Sequence, residues 1–309
     1  MTTLTGLVGH HAWVDGELLA AEAPHLSAFD RGFQLGDGVF ETLRVRGGRA
    51  TELAEHLARL RRSADGLGIV LQPSLGTDVA GGIDALLRAE GLAGPDGDAS
   101  VRITVSRGAS AGRGLLPPEG IAATVVIQAW PVIPPAAAQL ERGLYLVVSS
   151  VRRDPENPLV GLKTTSRAES VFARLEAHRA GADDALFLTT DGHLSEATSA
   201  NILLVRGREL ATPALGCAIL AGTTRSWILA WAARVGLTPV ESWLTTADLV
   251  AADEAFLCSS VAGILPVTKL DGAPIGSGVP GAWTARARAE REAFIRDGAD
   301  SAGSGAAAP

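Results

Sequence analysis

The segment from Gly161 to Val205 combines a helical pattern with a hairpin pattern, and this combination constrains the fold more than any other stretch. Its first part contains AESVFARLEAHRAG, which is typical of a helix that ends at Gly181. Its second part, DALFLTTDGHLSEATSANILLV, is typical of a β-hairpin whose two-residue turn is Asp191-Gly192. Strand-like and helix-like runs alternate along the rest of the chain as well. The pattern therefore predicts an α/β or α+β fold.

The length and the proline distribution indicate two domains. The chain has 309 residues, 47% of them hydrophobic, which is enough for one large core or two medium ones. The best linker is PVIPPAAAQLERG, which contains three prolines. We therefore expect an N-terminal domain at residues 1–130, a linker at 131–140 and a second domain at 141–295. Because DGADSAGSGAAAP has no apolar period, residues 296–309 are expected to be disordered.

Charge and cysteine content argue against several classes of function. The net charge of −7 argues against a nucleic-acid-binding surface. Cys217 and Cys258 lie far apart and no CxxC pair occurs, so we expect neither a disulfide framework nor a metal site. No apolar run has the length of a transmembrane helix, and the first residues lack the basic region of a signal peptide. The expectation is a soluble cytoplasmic protein without a nucleic-acid or membrane partner.

Lys163 is a candidate catalytic residue because lysine is rare in this chain. Lys163 and Lys269 are its only lysines, although lysine and arginine together number 27. A lysine amine can lose its proton and attack a carbonyl carbon, which a guanidinium cannot do. The alternative is a surface lysine in a loop, and the local sequence alone leaves both interpretations open.

Glu196 lies just after the predicted hairpin turn, among small residues. A carboxylate in a strand with apolar neighbours needs a cationic or hydrogen-bonding partner. One such partner is the protonated nitrogen of a pyridine ring, which a carboxylate keeps protonated. Taken alone, Glu196 is equally typical of an exposed glutamate on a strand.

A phosphate site is suggested by the sequence Ala221–Thr224, AGTT, which opens a predicted helix. The first amides of a helix have no partner within it and the helix dipole is positive there, so this position favours an anion. Ser259 and Ser260 follow a predicted strand and offer further hydroxyl donors, and Arg59 offers a bidentate cation. An ordinary threonine N-cap is the alternative.

The loop SRGASAGRGLLPP places Arg107 and Arg113 after a predicted strand. Two arginines in a glycine-rich loop are able to clamp a substrate carboxylate. A solvated loop in an arginine-rich protein explains the same pattern equally well.

These segments occur together in an order that resembles the fold type IV pyridoxal-phosphate enzymes. The resemblance covers residues 29–270 and rests on FDRGFQLGDGVFETLRV, HLARL, GLKTTSRAE, GADDALFLTTDGHLSEATSANILLV, LAGTTRSWIL and DEAFLCSSVAGILPV. That family includes branched-chain and D-amino-acid aminotransferases, (R)-selective amine transaminases and aminodeoxychorismate lyases. The resemblance implies a small N-terminal α/β domain and a larger C-terminal domain with a mixed sheet or barrel. It also implies a homodimer, with pyridoxal 5′-phosphate bound between the two domains.

The resemblance also implies a role for each matching residue. Lys163 would form the Schiff base and then move a proton, and Glu196 would pair with the pyridine nitrogen. The other residues implied to bind the cofactor are Arg59, Arg167, Ser199, Gly222, Thr223, Thr224, Ser259 and Ser260. The residues expected on the substrate side are Phe40, Glu41, Arg107, Arg113 and Val261. The small-molecule partners would be an amino acid or amine and a 2-oxo acid.

The sequence leaves the reaction open between transamination and pyruvate elimination. Many members place an Asn-Tyr pair after the lysine, and the matching residues here are Ser166 and Arg167. Arg167 is therefore a hypothetical partner for the cofactor phenolate. The arginine-glycine loop around Arg107 and the run NPLVGLKTTSRAES resemble the lyases that form 4-aminobenzoate, whereas ATSANILLV resembles the transaminases equally well. The leading hypothesis is an aminotransferase, the second is an aminodeoxychorismate lyase, and the third is a non-catalytic relative that binds a ligand.

Overall fold

The computed structural model describes residues 9–23, 25–112 and 114–297, and the chain divides into two compact units. Unit 1 comprises Met1–Val132 and Leu162–Ser166, and unit 2 comprises Ile133–Gly161 and Arg167–Pro309. Residues 162–166, which the sequence analysis placed in the second domain, thus belong to unit 1. The boundaries predicted from sequence at 130 and 141 stay predictions.

Unit 1 consists of an antiparallel sheet and three helices. The strands are β1 (His11–Val14), β2 (Glu17–Ala20), β3 (Gly38–Arg46), β4 (Arg49–Ala50), β5 (Asp98–Ser106) and β6 (Thr124–Pro131), and the helices are α1 (Arg31–Leu35), α2 (Leu53–Leu67) and α3 (Leu75–Ala89). The spatial order is β2-β1-β6-β5-β3-β4. The sequence pattern predicted α2 and α3, but it missed α1, whose five residues are too few to show a period.

The central strand β3 separates two faces of unit 1. Side chains alternate along a strand, so Val39, Glu41 and Leu43 share one face while Phe40 and Thr42 share the other. Val39 and Leu43 belong to the buried core that β3 forms with α2 and α3. The helices therefore cover the face that carries Glu41.

Unit 2 consists of a nine-stranded mixed sheet and five helices. The strands are β7 (Leu144–Arg153), β8 (Asp184–Thr189), β9 (Leu194–Ala197), β10 (Asn201–Arg206), β11 (Glu209–Pro213), β12 (Thr238–Ser242), β13 (Glu254–Ser259), β14 (Gly263–Leu270) and β15 (Ala273–Pro274), and the helices are α4 (Ala137–Arg142), α5 (Ala168–Arg179), α6 (Thr223–Arg234), α7 (Thr246–Val250) and α8 (Ala282–Asp297). Their order is β12-β11-β10-β13-β14-β7-β8-β9, and β15 pairs with β14. Within the described residues, no helix has both the length and the apolar character needed to cross a membrane.

Several local predictions need adjustment in unit 2. Helix α4 occupies part of the stretch predicted as a linker. The hairpin between β8 and β9 closes with a hydrogen bond from Gly192 N to Thr189 O, so Thr190 and Asp191 are the central turn residues and Gly192, with φ +90°, follows them. Of the tail predicted as disordered, residues 296 and 297 end α8, and the remainder lies outside the described residues.

Candidate active site

The backbone of Lys163 is fixed by two elements of unit 1. Its N–H donates to the Ser63 hydroxyl of α2 at 3.0 Å, and its carbonyl accepts the N–H of Phe40 on β3 at 2.9 Å. Two residues later, Thr165 N–H donates to Gly38 O at 2.9 Å. The segment therefore lies against the start of β3 as a short antiparallel extension, and the Cα position of Lys163 is well defined.

The side chain of Lys163 packs on an aromatic ring. Its Nζ lies 4.6 Å from the centroid of Phe40, on the sheet face that the helices leave uncovered, and the residue is half-buried. The guanidinium carbon of Arg102 on β5 lies 3.8 Å from the same centroid. The sequence analysis did not single out Arg102, although it stands between two buried strand residues. The ring of Phe40 thus gathers an amine and a guanidinium in one place.

Arg59 lies on α2 and is bound to Glu41. Its Nε donates to Oε1 and its NH2 donates to Oε2, both at 2.7 Å, and His56 Nδ1 lies 2.7 Å from Oε2. Glu41 is fully buried. Burial alone would raise the pKa of this carboxyl, but the hydrogen bonds from Arg59 and His56 outweigh burial and lower its pKa to about 2. Glu41 therefore faces helix α2, and the substrate contact predicted for it stays a prediction that this geometry does not favour.

Arg107 is also engaged within unit 1. Its Nε donates to Asp37 at 2.7 Å, and its two NH groups donate to the carbonyls of Gly68 and Leu67 at the end of α2. Burial raises the pKa of Asp37, but hydrogen bonds from Arg107 and Arg31 outweigh it and leave the pKa lowered. Arg107 would have to give up these bonds to meet a substrate, so its predicted clamp role stays a prediction. Arg113 lies outside the described residues.

Glu196 lies on β9 in unit 2 and is buried. Its Oε1 accepts from Arg153 NH1 at 2.6 Å, and its Oε2 accepts from Asn201 Nδ2 at 2.9 Å and from Leu220 N at 3.1 Å. This finding excludes the alternative of an exposed strand glutamate. The sequence analysis missed Arg153 and Asn201, because residue type alone did not indicate which side chains would surround the carboxylate.

Arg167 precedes α5 and lies in the electrostatic field of Glu196. Its guanidinium donates to the carbonyl of Thr198, two residues after Glu196. The pKa of Arg167 is lowered, first by burial; the charge of Glu196 opposes this shift, whereas that of Arg153 adds to it. A guanidinium and a buried carboxylate are therefore close together in unit 2.

The start of α6 has the features of an anion site. Gly222 is the N-cap residue, with φ −71° and ψ 135°, and makes no side-chain cap, so the alternative of a threonine N-cap does not apply. A Cβ added to Gly222 would overlap Asn201 Oδ1. The hydroxyls of Thr223 and Ser260 lie 3.3 Å apart. First-turn amides and two hydroxyls thus meet at the positive end of a twelve-residue helix.

The remaining predicted residues of unit 2 are placed differently. Thr224 is buried, and its hydroxyl lies 3.5 Å from Arg291 NH2. Ser199 and Ser259 line one small cavity. Val261 is half-buried in the turn between β13 and β14. Of the predicted phosphate ligands, the structure brings only Thr223 and Ser260 into mutual contact among the described residues of unit 2.

A family model described as amino-transferase class IV matches residues 38–270. The chain belongs to this family. It is 34% identical over 266 residues to a putative branched-chain-amino-acid aminotransferase of Methanocaldococcus jannaschii, covering 86% of this chain and 89% of that protein. It is 31% identical over 258 residues to the aminodeoxychorismate lyase of Vibrio harveyi, covering 83% and 90%.

The class IV fold is also shown by a similar solved structure. The branched-chain amino acid aminotransferase of T.th., solved with pyridoxamine 5′-phosphate, superposes with a TM-score of 0.86 at 26% identity. The alignment covers 93% of this chain and 94% of that one. The predicted α/β architecture of fold type IV is therefore confirmed. Both transferases and lyases occur among the relatives, so class IV membership leaves the reaction open.

Proposed function

We propose that this protein is a pyridoxal 5′-phosphate-dependent aminotransferase that moves an amino group between an amino acid or amine and a 2-oxo acid. The observation that carries the proposal is the setting of Lys163, whose backbone is fixed and whose half-buried amine lies on Phe40. The other lysine, Lys269, is exposed. The aminotransferases among the relatives, including one solved with pyridoxamine 5′-phosphate, support this choice.

The residues present fit this cofactor. The first turn of α6, with the paired hydroxyls of Thr223 and Ser260, suits a phosphate. The lack of room for a side chain at Gly222 agrees with a close approach of a ligand to the backbone. The buried carboxylate of Glu196 suits a protonated pyridine nitrogen. When bound, the cofactor would withdraw electrons from the α-carbon of the substrate.

The chain's own residues then divide the work. We assign Lys163 the carbonyl chemistry and the transfer of a proton at its Nζ. Three donors hold Glu196 in one orientation, so that its charge stays in place when a cation is bound. Arg102, on the same ring as Lys163, is our candidate for binding a substrate carboxylate.

We also propose that the protein is a homodimer. In unit 1, large apolar side chains on and next to α1 and in the loop before β6 are strongly exposed: Phe29, Phe33, Leu115 and Leu116. The backbone carbonyls of Gly114 and Leu115 accept from Arg31, which ties this loop to α1. A contiguous apolar surface of this kind marks an interaction site, and a second copy is the simplest partner.

Two substitutions test the central assignment. Lys163→Ala should abolish the visible absorbance of bound cofactor and the transfer of amino groups, whereas Lys269→Ala, which changes the only other lysine, should leave both intact. The wild-type protein should show absorbance near that of a lysine Schiff base, restored by added pyridoxal phosphate after removal. Turnover that survives in Lys163→Ala would contradict the proposal. A wild-type protein that neither shows nor regains this band would favour the non-catalytic relative.

The lyase is the second candidate function. The position of Arg167, close to the buried carboxylate, favours it together with the Vibrio harveyi relative. The engagement of Arg107 by Asp37 weakens it, because the arginine-glycine loop was its other support. Incubation with aminodeoxychorismate separates the two candidates. Formation of pyruvate and 4-aminobenzoate would establish the lyase, whereas their absence together with transfer to a 2-oxo acid would establish the transferase.

A further inference from the structure

We propose that Glu41 and His56 are positioning residues that hold Arg59 in the one orientation in which it binds the cofactor phosphate. This inference rests on the proposed function, because it takes Arg59 to be a phosphate ligand. It gives Glu41 a role other than the substrate contact expected from sequence. It also adds His56, which the sequence analysis did not single out.

The contacts of Glu41 define the orientation of Arg59. Two parallel hydrogen bonds of 2.7 Å join the guanidinium to the carboxylate, which fixes both the distance and the plane of the guanidinium. His56 lies 2.7 Å from the Oε2 atom that Arg59 also contacts, so it restrains the carboxylate in turn. The result is a chain of restraint from His56 to Glu41 to Arg59.

The position of the cluster links it to the lysine. His56 and Arg59 are three residues apart on α2 and therefore lie on one helix face. Ser63, four residues after Arg59, holds the backbone of Lys163. Glu41 follows Phe40, whose ring contacts Lys163 from the opposite face of β3. One helix and one strand thus set the positions of both Arg59 and Lys163.

Burial makes this restraint strong. Glu41 and His56 are fully buried and Arg59 is nearly so. Because the pKa of Glu41 is about 2, its carboxylate stays ionised throughout the neutral range. Separating a desolvated ion pair leaves two uncompensated charges, so alternative rotamers of Arg59 are disfavoured. Apolar side chains would stabilise the same core at least as well, which agrees with a role beyond stability.

A comparison of two ligands isolates the phosphate. Full-length protein freed of cofactor is titrated with pyridoxal phosphate and with pyridoxal, which lacks the phosphate, by absorbance. Glu41→Asp, which keeps the charge but shortens its reach, should weaken binding of pyridoxal phosphate about tenfold, with pyridoxal affected far less. His56→Leu should weaken it several-fold, and His56→Asn, which keeps a donor near the Nδ1 position, should recover most of the loss.

A matched ion pair serves as the control. Arg44 on β3 makes two hydrogen bonds to Asp98, of 2.7 and 2.6 Å, in the same way as Arg59 does to Glu41. Asp98→Glu alters the reach of that carboxylate on the same sheet. It should change stability without changing the ratio of the two ligand affinities.

The outcomes separate this inference from the proposed function. Arg59→Gln should lower the affinity for pyridoxal phosphate but not that for pyridoxal. If it lowers both equally or neither, the phosphate role of Arg59 in the proposed function is wrong. If Arg59→Gln is selective while the Glu41 and His56 variants lower both affinities equally or neither, the positioning role is wrong and the proposed function stands.

Discussion

Replacing Gly222 by alanine should disturb the site of unit 2 through a single neighbour. The φ of −71° at Gly222 is ordinary for any residue, so the backbone itself accepts alanine. The added Cβ would overlap Asn201 Oδ1 and lie 3.3 Å from Arg225 Cβ. Asn201 would have to move, and it would then lose its bonds to Glu196 and to the Leu220 carbonyl.

The magnitude follows from these two effects. Overpacking a close contact costs about 1–3 kcal/mol, and a lost hydrogen bond costs about 1 kcal/mol more. We therefore expect Gly222→Ala to lower the free energy of unfolding by about 2–4 kcal/mol, measured by urea denaturation, and to weaken cofactor binding. Gly94→Ala is the control, because a Cβ there meets nothing within 4 Å.

A second substitution separates the clash from other causes. In Gly222→Ala/Asn201→Ala the overlapping atom is absent, so the double variant should be more stable than the sum of the two single effects predicts. Strict additivity would show that Asn201 does not transmit the effect. An unfolding free energy of Gly222→Ala within about 0.5 kcal/mol of wild type would refute the close packing on which the reasoning depends.

Three further predictions concern unit 1. The pKa of Glu41 is lowered from 4.5 to about 2, so the ionised carboxylate stabilises the fold above pH 4.5 and this stabilisation is lost as the pH falls toward 2. The unfolding free energy of wild type minus that of Glu41→Gln should therefore shrink by about 2 kcal/mol from pH 5 to pH 3 in urea titrations, and a constant difference would contradict the shift. Arg107→Gln should lower the unfolding free energy by about 3 kcal/mol at neutral pH, because its buried bonds to Asp37 and two carbonyls are lost. Phe33→Asp should convert a dimer into a monomer by light scattering, and an unchanged mass would place the interface elsewhere.

Local patterns in the sequence predicted most elements of the fold. Leu57, Leu60 and Ala64 recur at helical spacing, and they are among the residues that α2 buries. The strands were predicted in the same way, from alternation between turns. The five residues of α1 are too few for such a pattern, and the Asp30 N-cap was its only local signal. The order of strands within each sheet depends on contacts far apart in sequence, which local patterns do not contain.

The candidate site was predictable in residue type but not in partnership. Lys163 drew attention by its rarity, and Glu196 by its apolar surroundings. Nothing local to Glu196 indicated Arg153, which is 43 residues away in the chain. Arg107 shows the reverse error: a glycine-rich loop suggested a substrate clamp, yet Asp37 engages the guanidinium. Partnerships between distant charged side chains are decided by packing, so residue type alone leaves them undetermined.

The assignment of Leu162–Ser166 to unit 1 has a consequence for the order in which the protein is synthesised. Residues 133–161 belong to unit 2, yet they leave the ribosome before unit 1 receives its last five residues. Until then, the Ser63 hydroxyl and the amide of Phe40 lack their native partners, and Ser63 is 100 residues from Lys163 in the chain. Closing so long a loop is slow compared with forming local helices. The lysine therefore reaches its place late, after most of unit 1 has been made, so a fragment ending at residue 132 would lack both the amine and the segment that presents it.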